Sequence, residues 1–283
     1  MNDRKRAVLI GTMCGTGKCS LTAALPVLAA AGIEVCVAPT GTSPLPGTAV
    51  RDLSGDLFAY AEQWKKAGYS FDAMVFEFPE TEEQAGALSA FLQTFREKDN
   101  LVLFGSSGWN SKKVQVGVSP EKSKLVQRFC AQSDLVILPA GDAAALMGEK
   151  NHDGPWSRRA VETLLRSMCF TGAKSAVATD VWFSPELMGS AVYSAGNGTV
   201  SYAFSHRISG EWPGTGDLFC AALLAGLLYG MRQSAAVQLA VDFAADCIRK
   251  TKESGCDSRF GLKFEACLPK LIRQLGAPKR QKD

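Results

Sequence analysis

The sequence predicts a three-layer α/β fold in which helices flank a central, mostly parallel sheet. Short runs rich in β-branched residues alternate with longer helical stretches over most of the 283 residues. Repeated strand–helix units form parallel sheets with helices on both faces, and ligands bind at the carboxyl ends of the strands. No linker, composition shift or internal repeat divides the chain, so we expect one domain spanning residues 1–283.

The first half of the chain contains the more regular alternation. A short apolar run after the charged N-terminus indicates the first strand, and a glycine-rich turn follows it. Leu57, Tyr60, Ala61 and Trp64 share one face of a helix, whereas the Pro and Gly residues of 39–48 indicate a loop. The predicted strands are 6–11, 33–38, 71–78 and 100–104, and the predicted helices are 20–31, 53–67 and 80–98.

The second half continues the alternation and then becomes mainly helical. A helix over 120–132 precedes a strand over 135–139, and a helix over 155–168 precedes a strand over 174–179. Segments 190–194 and 200–205 alternate in polarity and flank the sequence Gly-Asn-Gly at 196–198, which predicts a hairpin. The remaining predicted helices are 217–229, 235–251 and 264–275.

Composition and charge exclude several classes of protein. The longest nearly uninterrupted apolar stretch, residues 218–231, is too short to span a membrane and is typical of a buried helix. The net charge is +3 with acids and bases interspersed, so we expect no nucleic-acid partner. The nine cysteines include no CxxC pair, and His152 and His206 are the only histidines. We therefore expect free, mostly buried thiols, no metal site built on these residues, and a reducing, cytoplasmic location.

The glycine-rich segment 11–18 approximates a P-loop but does not match one. The motif G-x-x-x-x-G-K-[ST], ending here at Lys18, would need glycine at position 12 and Ser or Thr at position 19. Thr12 and Cys19 occupy those positions. A strand followed by glycines still suits either a loop that approaches a small ligand closely or a simple tight turn.

A second glycine-rich segment lies near the C-terminus and opens the apolar helix. Gly214, Thr215 and Gly216 precede Asp217, so several backbone N–H groups point one way at a helix N-terminus. This arrangement binds anions, with help from the helix dipole. Asp217 could be a functional carboxylate or only the N-cap of the helix, which is a common role for aspartate.

Three segments resemble a known family. The sequence GTGDLF at 214–219 resembles the GTGDxF form of the ribokinase-superfamily signature. The sequence GTGKCSLTAALPVL at 15–28 is similar to the first loop and helix of pyridoxal kinases, often written GxGRCSLTAALPVL. Residues 51–53, Arg-Asp-Leu, fall where that family carries FRDLT. The order of strands and helices resembles that family over essentially the whole chain.

The resemblance implies a ribokinase-like fold and phosphoryl transfer from MgATP to the hydroxymethyl group of pyridoxal, pyridoxine or pyridoxamine. It implies that Asp217 is the general base. It also implies that the backbone N–H groups of Gly214, Thr215 and Gly216 stabilise the charge of the transferring phosphoryl group. Phosphoryl transfer depends mainly on positioning and on such charge stabilisation.

The same resemblance implies further binding residues and an assembly state. The implied nucleotide-binding residues are Thr179 and Asn110, and the implied substrate-binding residues are Thr12, Cys14 and Thr40. Pyridoxal kinases are typically homodimers, so a homodimer is expected.

The chain departs from the family pattern where that pattern carries acids. Thr12 replaces an Asp that usually begins the first loop, and Gly105 and Asn110 replace both acids of the segment DPVMGD. Ala143 replaces the Glu of TPNxxE, although Asp142 lies one residue away. The family's substrate flap, STHTGGF, is also lost over 41–47. Because Mg²⁺ is normally held through carboxylates, waters and substrate phosphates, such a site should bind MgATP less well or differently.

Several functions therefore remain open at this point. The acceptor could be hydroxymethylpyrimidine, a sugar or a nucleoside instead of a vitamin B6 compound. The protein could also be a non-catalytic relative that binds a B6 vitamer or a nucleotide, or pairs with a partner, on the same fold.

Overall fold

A nine-stranded sheet runs through the described part of the computed structural model, which comprises residues 5–105, 119–148, 154–170 and 172–276. The strands in chain order are β1 Arg6–Cys14, β2 Glu34–Ser43, β3 Arg51–Asp52, β4 Ala73–Phe76, β5 Leu101–Gly105, β6 Leu135–Pro139, β7 Ser175–Val181, β8 Leu187–Ser194 and β9 Thr199–His206. In space they follow the order β3-β2-β1-β4-β5-β6-β7-β8-β9. All pairs between β2 and β7 are parallel, whereas β3, β8 and β9 are added antiparallel. The predicted, mostly parallel sheet and the hairpin are confirmed.

Helices cover both faces of this sheet. They are α1 Leu21–Ala30, α2 Leu57–Lys66, α3 Glu82–Phe95, α4 Pro120–Cys130, α5 Ala140–Leu146, α6 Arg158–Phe170, α7 Thr215–Leu228, α8 Gln233–Glu253 and α9 Leu268–Leu275. In β1, Ala7 and Leu9 pack with α1, α7, α8 and α9, whereas Val8 and Ile10 pack with α2, α3 and α4. Because successive strand residues point to opposite faces, this alternation produces two cores and confirms the three-layer α/β/α fold.

Helix α7 lies at the centre of one layer. Its residues from Asp217 to Gly226 are buried, apart from half-buried Cys220, between the sheet, α1 and α8. A helix that is apolar on all sides is stable only where neighbours surround it, which explains the long apolar run in the sequence. The consequence for the site is that the first turn of α7 is held firmly at one edge of the sheet.

The predicted loop over 39–48 is wrong in its first half. Strand β2 continues to Ser43, because β1 also runs on to Cys14 and pairs with it. Strand β3 then pairs with β2 on its other side. Hydrogen bonding to neighbours on both sides overrides the local preference of Pro and Gly for turns.

Helix α5 is absent from the sequence-based prediction. It has seven residues, from Ala140 to Leu146, and includes Gly141, so it offers too few turns for a helical period to be detected. The last predicted helix is also shorter than expected, because a 3₁₀ turn at Glu265–Cys267 precedes α9. Both differences concern short elements whose shape depends on their neighbours.

The cysteines and the helix lengths agree with the composition argument. All nine cysteines lie in the described residues as free thiols, and Cys256 alone is exposed. The prediction of free, mostly buried thiols is confirmed. Among the described residues, no helix combines the length and the apolar character needed to cross a membrane.

Candidate active site

Two loops meet at the carboxyl edge of β1. We call residues 15–20, between β1 and α1, the first loop, and residues 213–216, before and into α7, the glycine turn. Gly214 has φ = 85°, and a Cβ atom there would overlap the carbonyl oxygen of Lys18 in the first loop. Only glycine therefore permits both the left-handed conformation and the close approach of the two loops.

The glycine turn exposes the N-terminus of α7. Gly214 is the N-cap residue, and the Thr215 hydroxyl donates a hydrogen bond to the Trp212 carbonyl at 2.6 Å. Gly216 is exposed and carries no side chain that would cover the helix end. The first N–H groups of a helix lack intrahelical acceptors and lie at the positive end of its dipole, so this turn can bind an anion.

Asp217 is the third residue of α7, and its side chain is buried, with 2% exposure. Its Oδ2 accepts a hydrogen bond of 2.6 Å from the backbone N–H of Ser20, in the first loop. Its Oδ1 has no hydrogen-bond partner among the described residues. The interpretation of Asp217 as an N-cap is therefore wrong, because Gly214 holds that position and no side chain caps the helix.

The environment of Asp217 favours its protonated form. Burial, with a smaller contribution from the negative charge of Glu77, raises the pKa of this carboxyl group to about 8. The Ser20 N–H opposes these effects in part by stabilising the carboxylate. The result is a buried carboxyl group whose pKa lies near neutrality, where a side chain can both release and accept a proton.

A polar network joins Asp217 to the carboxyl ends of β1 and β4. The Ser20 hydroxyl donates to the Thr12 carbonyl at 2.5 Å and also contacts Glu77 Oε1. Glu77 Oε2 accepts from the Thr12 N–H at 2.9 Å. Sequence reasoning missed Glu77, although an acid at the end of a predicted strand lies where ligands bind in parallel sheets.

The residues implied to bind substrate lie at the same edge of β1 and β2. Thr12 and Cys14 belong to the last part of β1. Thr40 is the extra residue of a bulge in β2, since Gly11 pairs with Pro39 and Thr12 pairs with Gly41. The structure therefore brings Thr12, Cys14 and Thr40 to one end of two adjacent strands.

The residues implied to bind nucleotide are only partly described. Thr179 is half-buried near the carboxyl end of β7, where it pairs with Pro139. The next residue, Asp180, has φ = 57°, a conformation that non-glycine residues rarely adopt. Because β1 and β7 run parallel within one sheet, Thr179 lies at the same sheet edge as Thr12. Asn110 lies outside the described residues.

Comparison with known proteins gives the fold a name. The sequence matches no protein-family model. A Bacteroides thetaiotaomicron protein classed as a phosphomethylpyrimidine kinase superposes with a TM-score of 0.84 and 22% identity, over 100% of this chain and 97% of its own. Pyridoxal kinase from Lactobacillus plantarum gives 0.82 and 23%, over 95% of this chain and 97% of its own. Pyridoxal kinase from Leishmania donovani, in complex with ADP and pyridoxamine, gives 0.78 and 15%, over 94% and 95%. The chain has the pyridoxal kinase fold.

This fold is the one that the ribokinase-superfamily resemblance implied, and that expectation is confirmed. The agreement covers essentially the whole length of each chain, so it includes both the first loop and the glycine turn. At 15–23% identity the similarity establishes the fold, whereas the chemistry depends on the residues present in this chain.

Gly105, where the family pattern carries an acid, is closely packed in this structure. Gly105 ends β5, and a Cβ atom there would lie 3.2 Å from the Cys220 sulfur of α7. A larger side chain at this position would press on Cys220. Asp142 lies in the first turn of α5 and is buried, with 1% exposure. The described residues contain no group of three or more side chains suited to hold a metal ion.

Lys18 does not point toward the glycine turn. Its ammonium group pairs with Glu265 at 2.6 Å and lies 5.1 Å from the centre of the Phe264 ring. Its backbone N–H donates to the Phe260 carbonyl at 3.0 Å, beside Gly261, which has φ = 90°. This placement agrees with the spacing argument that the lysine is not a P-loop lysine.

Proposed function

We propose that this protein is a kinase that transfers the γ-phosphoryl group of MgATP to the hydroxymethyl group of pyridoxal, pyridoxine or pyridoxamine. The observation that carries this proposal is the state of Asp217. It is a buried carboxyl group with a pKa of about 8, and one of its oxygens accepts no hydrogen bond among the described residues. It directly follows a glycine turn that can bind phosphate.

The roles of the residues follow from their positions. Asp217 Oδ1 would accept the proton of the acceptor hydroxyl, while the Ser20 N–H keeps Oδ2 in place. The N–H groups of Gly214, Thr215 and Gly216 would stabilise charge on the transferring phosphoryl group. Phosphoryl transfer depends mainly on positioning and charge stabilisation, and this set of residues provides both.

The donor is proposed to bind as MgATP, and the ion belongs to that substrate. Mg²⁺ commonly keeps several waters and binds substrate phosphates through one or two carboxylates, so it does not require a protein cluster. We assign no residue of the described chain to hold it. Support for a nucleotide donor comes from the Leishmania donovani enzyme, which holds ADP, and support for the acceptor comes from the pyridoxamine in the same complex.

A non-catalytic binding protein on this fold is the second candidate. Gly105 and Ala143 favour it, because both stand where the family pattern has an acid. Neither position, however, changes the network around Asp217, which connects the first loop to α7.

A coupled ADP-release assay tests the proposal. The parent protein is offered pyridoxal, pyridoxine, pyridoxamine, hydroxymethylpyrimidine and common sugars in separate reactions. We expect turnover with the vitamin B6 compounds and a loss of about 10²–10⁴-fold in rate for Asp217→Asn, because an amide cannot accept the hydroxyl proton. Asp56→Asn is the matched control, since Asp56 is exposed and its side chain caps no helix.

Each outcome distinguishes the candidates. Equal rates for the parent and Asp217→Asn would eliminate Asp217 as the base. Turnover with hydroxymethylpyrimidine or a sugar alone would keep the kinase and replace its acceptor. Ligand binding by calorimetry without turnover for any acceptor would support the non-catalytic candidate.

A further inference from the structure

Glu77 lies one residue beyond β4 and continues the pairing of that strand. Its backbone N–H donates to the Ile10 carbonyl of β1 at 3.0 Å. Its carboxyl group lies over Gly11, where a Cβ atom would be 2.5 Å from Glu77 Cδ and 2.7 Å from Oε1. The absence of a side chain at Gly11 therefore makes the space that Glu77 occupies.

Both oxygens of Glu77 contact the first loop or the strand before it. Oε2 accepts from the Thr12 N–H at 2.9 Å, and Oε1 contacts the Ser20 hydroxyl. Asp217 contacts the same Ser20 through its backbone N–H at 2.6 Å. Ser20 is thus held by two carboxyl groups, one through its side chain and one through its backbone.

Ser20 has an unusual backbone conformation. Its φ of 51° and ψ of −131° lie in a region that residues other than glycine rarely adopt. Such a conformation persists only when the surroundings hold it. The contacts of the Ser20 hydroxyl with Glu77 and with the Thr12 carbonyl hold it here, and as a result the Ser20 N–H faces Asp217.

We propose that Glu77 is a positioning residue for Asp217: it fixes Ser20, so that the Ser20 amide faces the buried carboxyl group, and it places a second negative charge beside that group. This proposal rests on the proposed function only for its effect on turnover. Its structural part concerns Asp217 whether or not the protein is a kinase.

The effect of the Glu77 charge on the titration of Asp217 can be distinguished from the effects of the other groups near Asp217. Among the described residues, the thiols of Cys19 and Cys220 also face this carboxyl group. Burial raises the pKa of both thiols, so both remain neutral in the range where Asp217 titrates. Lys18 approaches the glycine turn only through its backbone, and its ammonium group pairs with Glu265. Glu77 is therefore the charge whose removal should change the titration of Asp217.

Carbon-13 NMR of protein labelled at the aspartate carboxyl carbons measures this directly, with Asp217→Asn identifying the Asp217 signal. In Glu77→Gln, we expect the titration midpoint of Asp217 to move to lower pH by about one unit, because a nearby like charge has been removed. Glu83→Gln is the matched control, since Glu83 is exposed on α3, and it should leave the midpoint unchanged.

A second variant keeps the proposal testable if Glu77→Gln does not fold. Gly11→Ala keeps the Glu77 charge but forces its carboxyl group away from the site, because the new Cβ atom would overlap it. We expect the same direction of shift in this variant. An unchanged Asp217 midpoint in either folded variant would overturn the proposal.

Turnover provides the remaining readout. We expect Glu77→Gln to move the acidic limb of the kcat/KM profile to lower pH, and Ser20→Ala to reduce kcat more than it changes KM. If the parent protein shows no turnover, the proposed function fails, and the NMR titration still decides the role of Glu77. If the parent turns over and neither variant alters its pH profile or kcat, Glu77 is not a positioning residue.

Discussion

Replacing Asp217 with asparagine should make the stability of this protein less dependent on pH. The folded state holds the Asp217 carboxyl group with a pKa of about 8, whereas its ordinary value is 3.8. Between these two values the folded protein keeps a proton that the unfolded chain releases. Stability therefore falls as pH rises through this range, since the unfolded state binds fewer protons than the folded state. Asparagine does not titrate, so the variant loses this dependence.

The magnitude follows from the same two values. One proton released on unfolding changes the free energy of unfolding by about 1.4 kcal/mol for each pH unit. Both about pH 5 and about pH 7 lie between the unfolded and the folded pKa of Asp217. The free energy of unfolding of the parent therefore falls by on the order of 3 kcal/mol between them through this group. As the pH rises over that interval, we expect the free energy of unfolding of Asp217→Asn to increase relative to that of the parent by an amount of this order.

Urea denaturation of the parent and the variant at these two pH values measures the effect. Taking the difference between the two proteins removes the contribution of every group that they share. Asp56→Asn, the exposed control, should follow the parent at both pH values. A difference between Asp217→Asn and the parent that is the same at both values would refute the conclusion that Asp217 is buried with a raised pKa.

Three further predictions concern the glycine turn, the thiols and the assembly. Gly214→Ala should abolish turnover, and in denaturation experiments it should lower the free energy of unfolding by more than Gly230→Ala does. Both positions have positive φ, but only Gly214 also abuts the Lys18 carbonyl. Mass spectrometry should show one thiol of the native protein reacting rapidly with a maleimide, and this reaction should be absent in Cys256→Ser. The reason is that Cys256 is exposed and that a hydrogen bond with Ser254 lowers its pKa. Light scattering at micromolar concentration should give the mass of a homodimer, and a monomer mass would contradict the assembly implied by the family resemblance.

The layered fold was predictable from the sequence because it depends on local patterns. Alternation of strands and helices, and the long apolar run that becomes α7, are properties of neighbouring residues. The extension of β2 to Ser43 was not predictable, because it depends on β1 continuing beside it. Helix α5 was too short to produce a detectable period.

The candidate site was predictable only in part. The glycine turn and Asp217 carry a recognisable spacing, so the sequence alone singled them out as candidates. Glu77 contacts Ser20 across 57 positions, and no spacing rule connects residues so far apart in the chain. The useful signal was its place at the carboxyl end of a predicted strand. The mistaken N-cap interpretation arose because the helix begins two residues earlier than the sequence indicates.

The packing of the first loop has a consequence for how the protein is made. Lys18 is enclosed by Gly214 and by Gly261, whose Cβ atom would lie 2.8 Å from the Lys18 nitrogen. Residue 18 leaves the ribosome long before residues 214 and 261, so the first loop lacks both neighbours until those residues have been made. It can reach its final shape only after residue 261 has emerged. A chain that stopped before Gly261 would still contain Asp217 and every strand of the described sheet, but the loop that orients Asp217 would lack one of its walls.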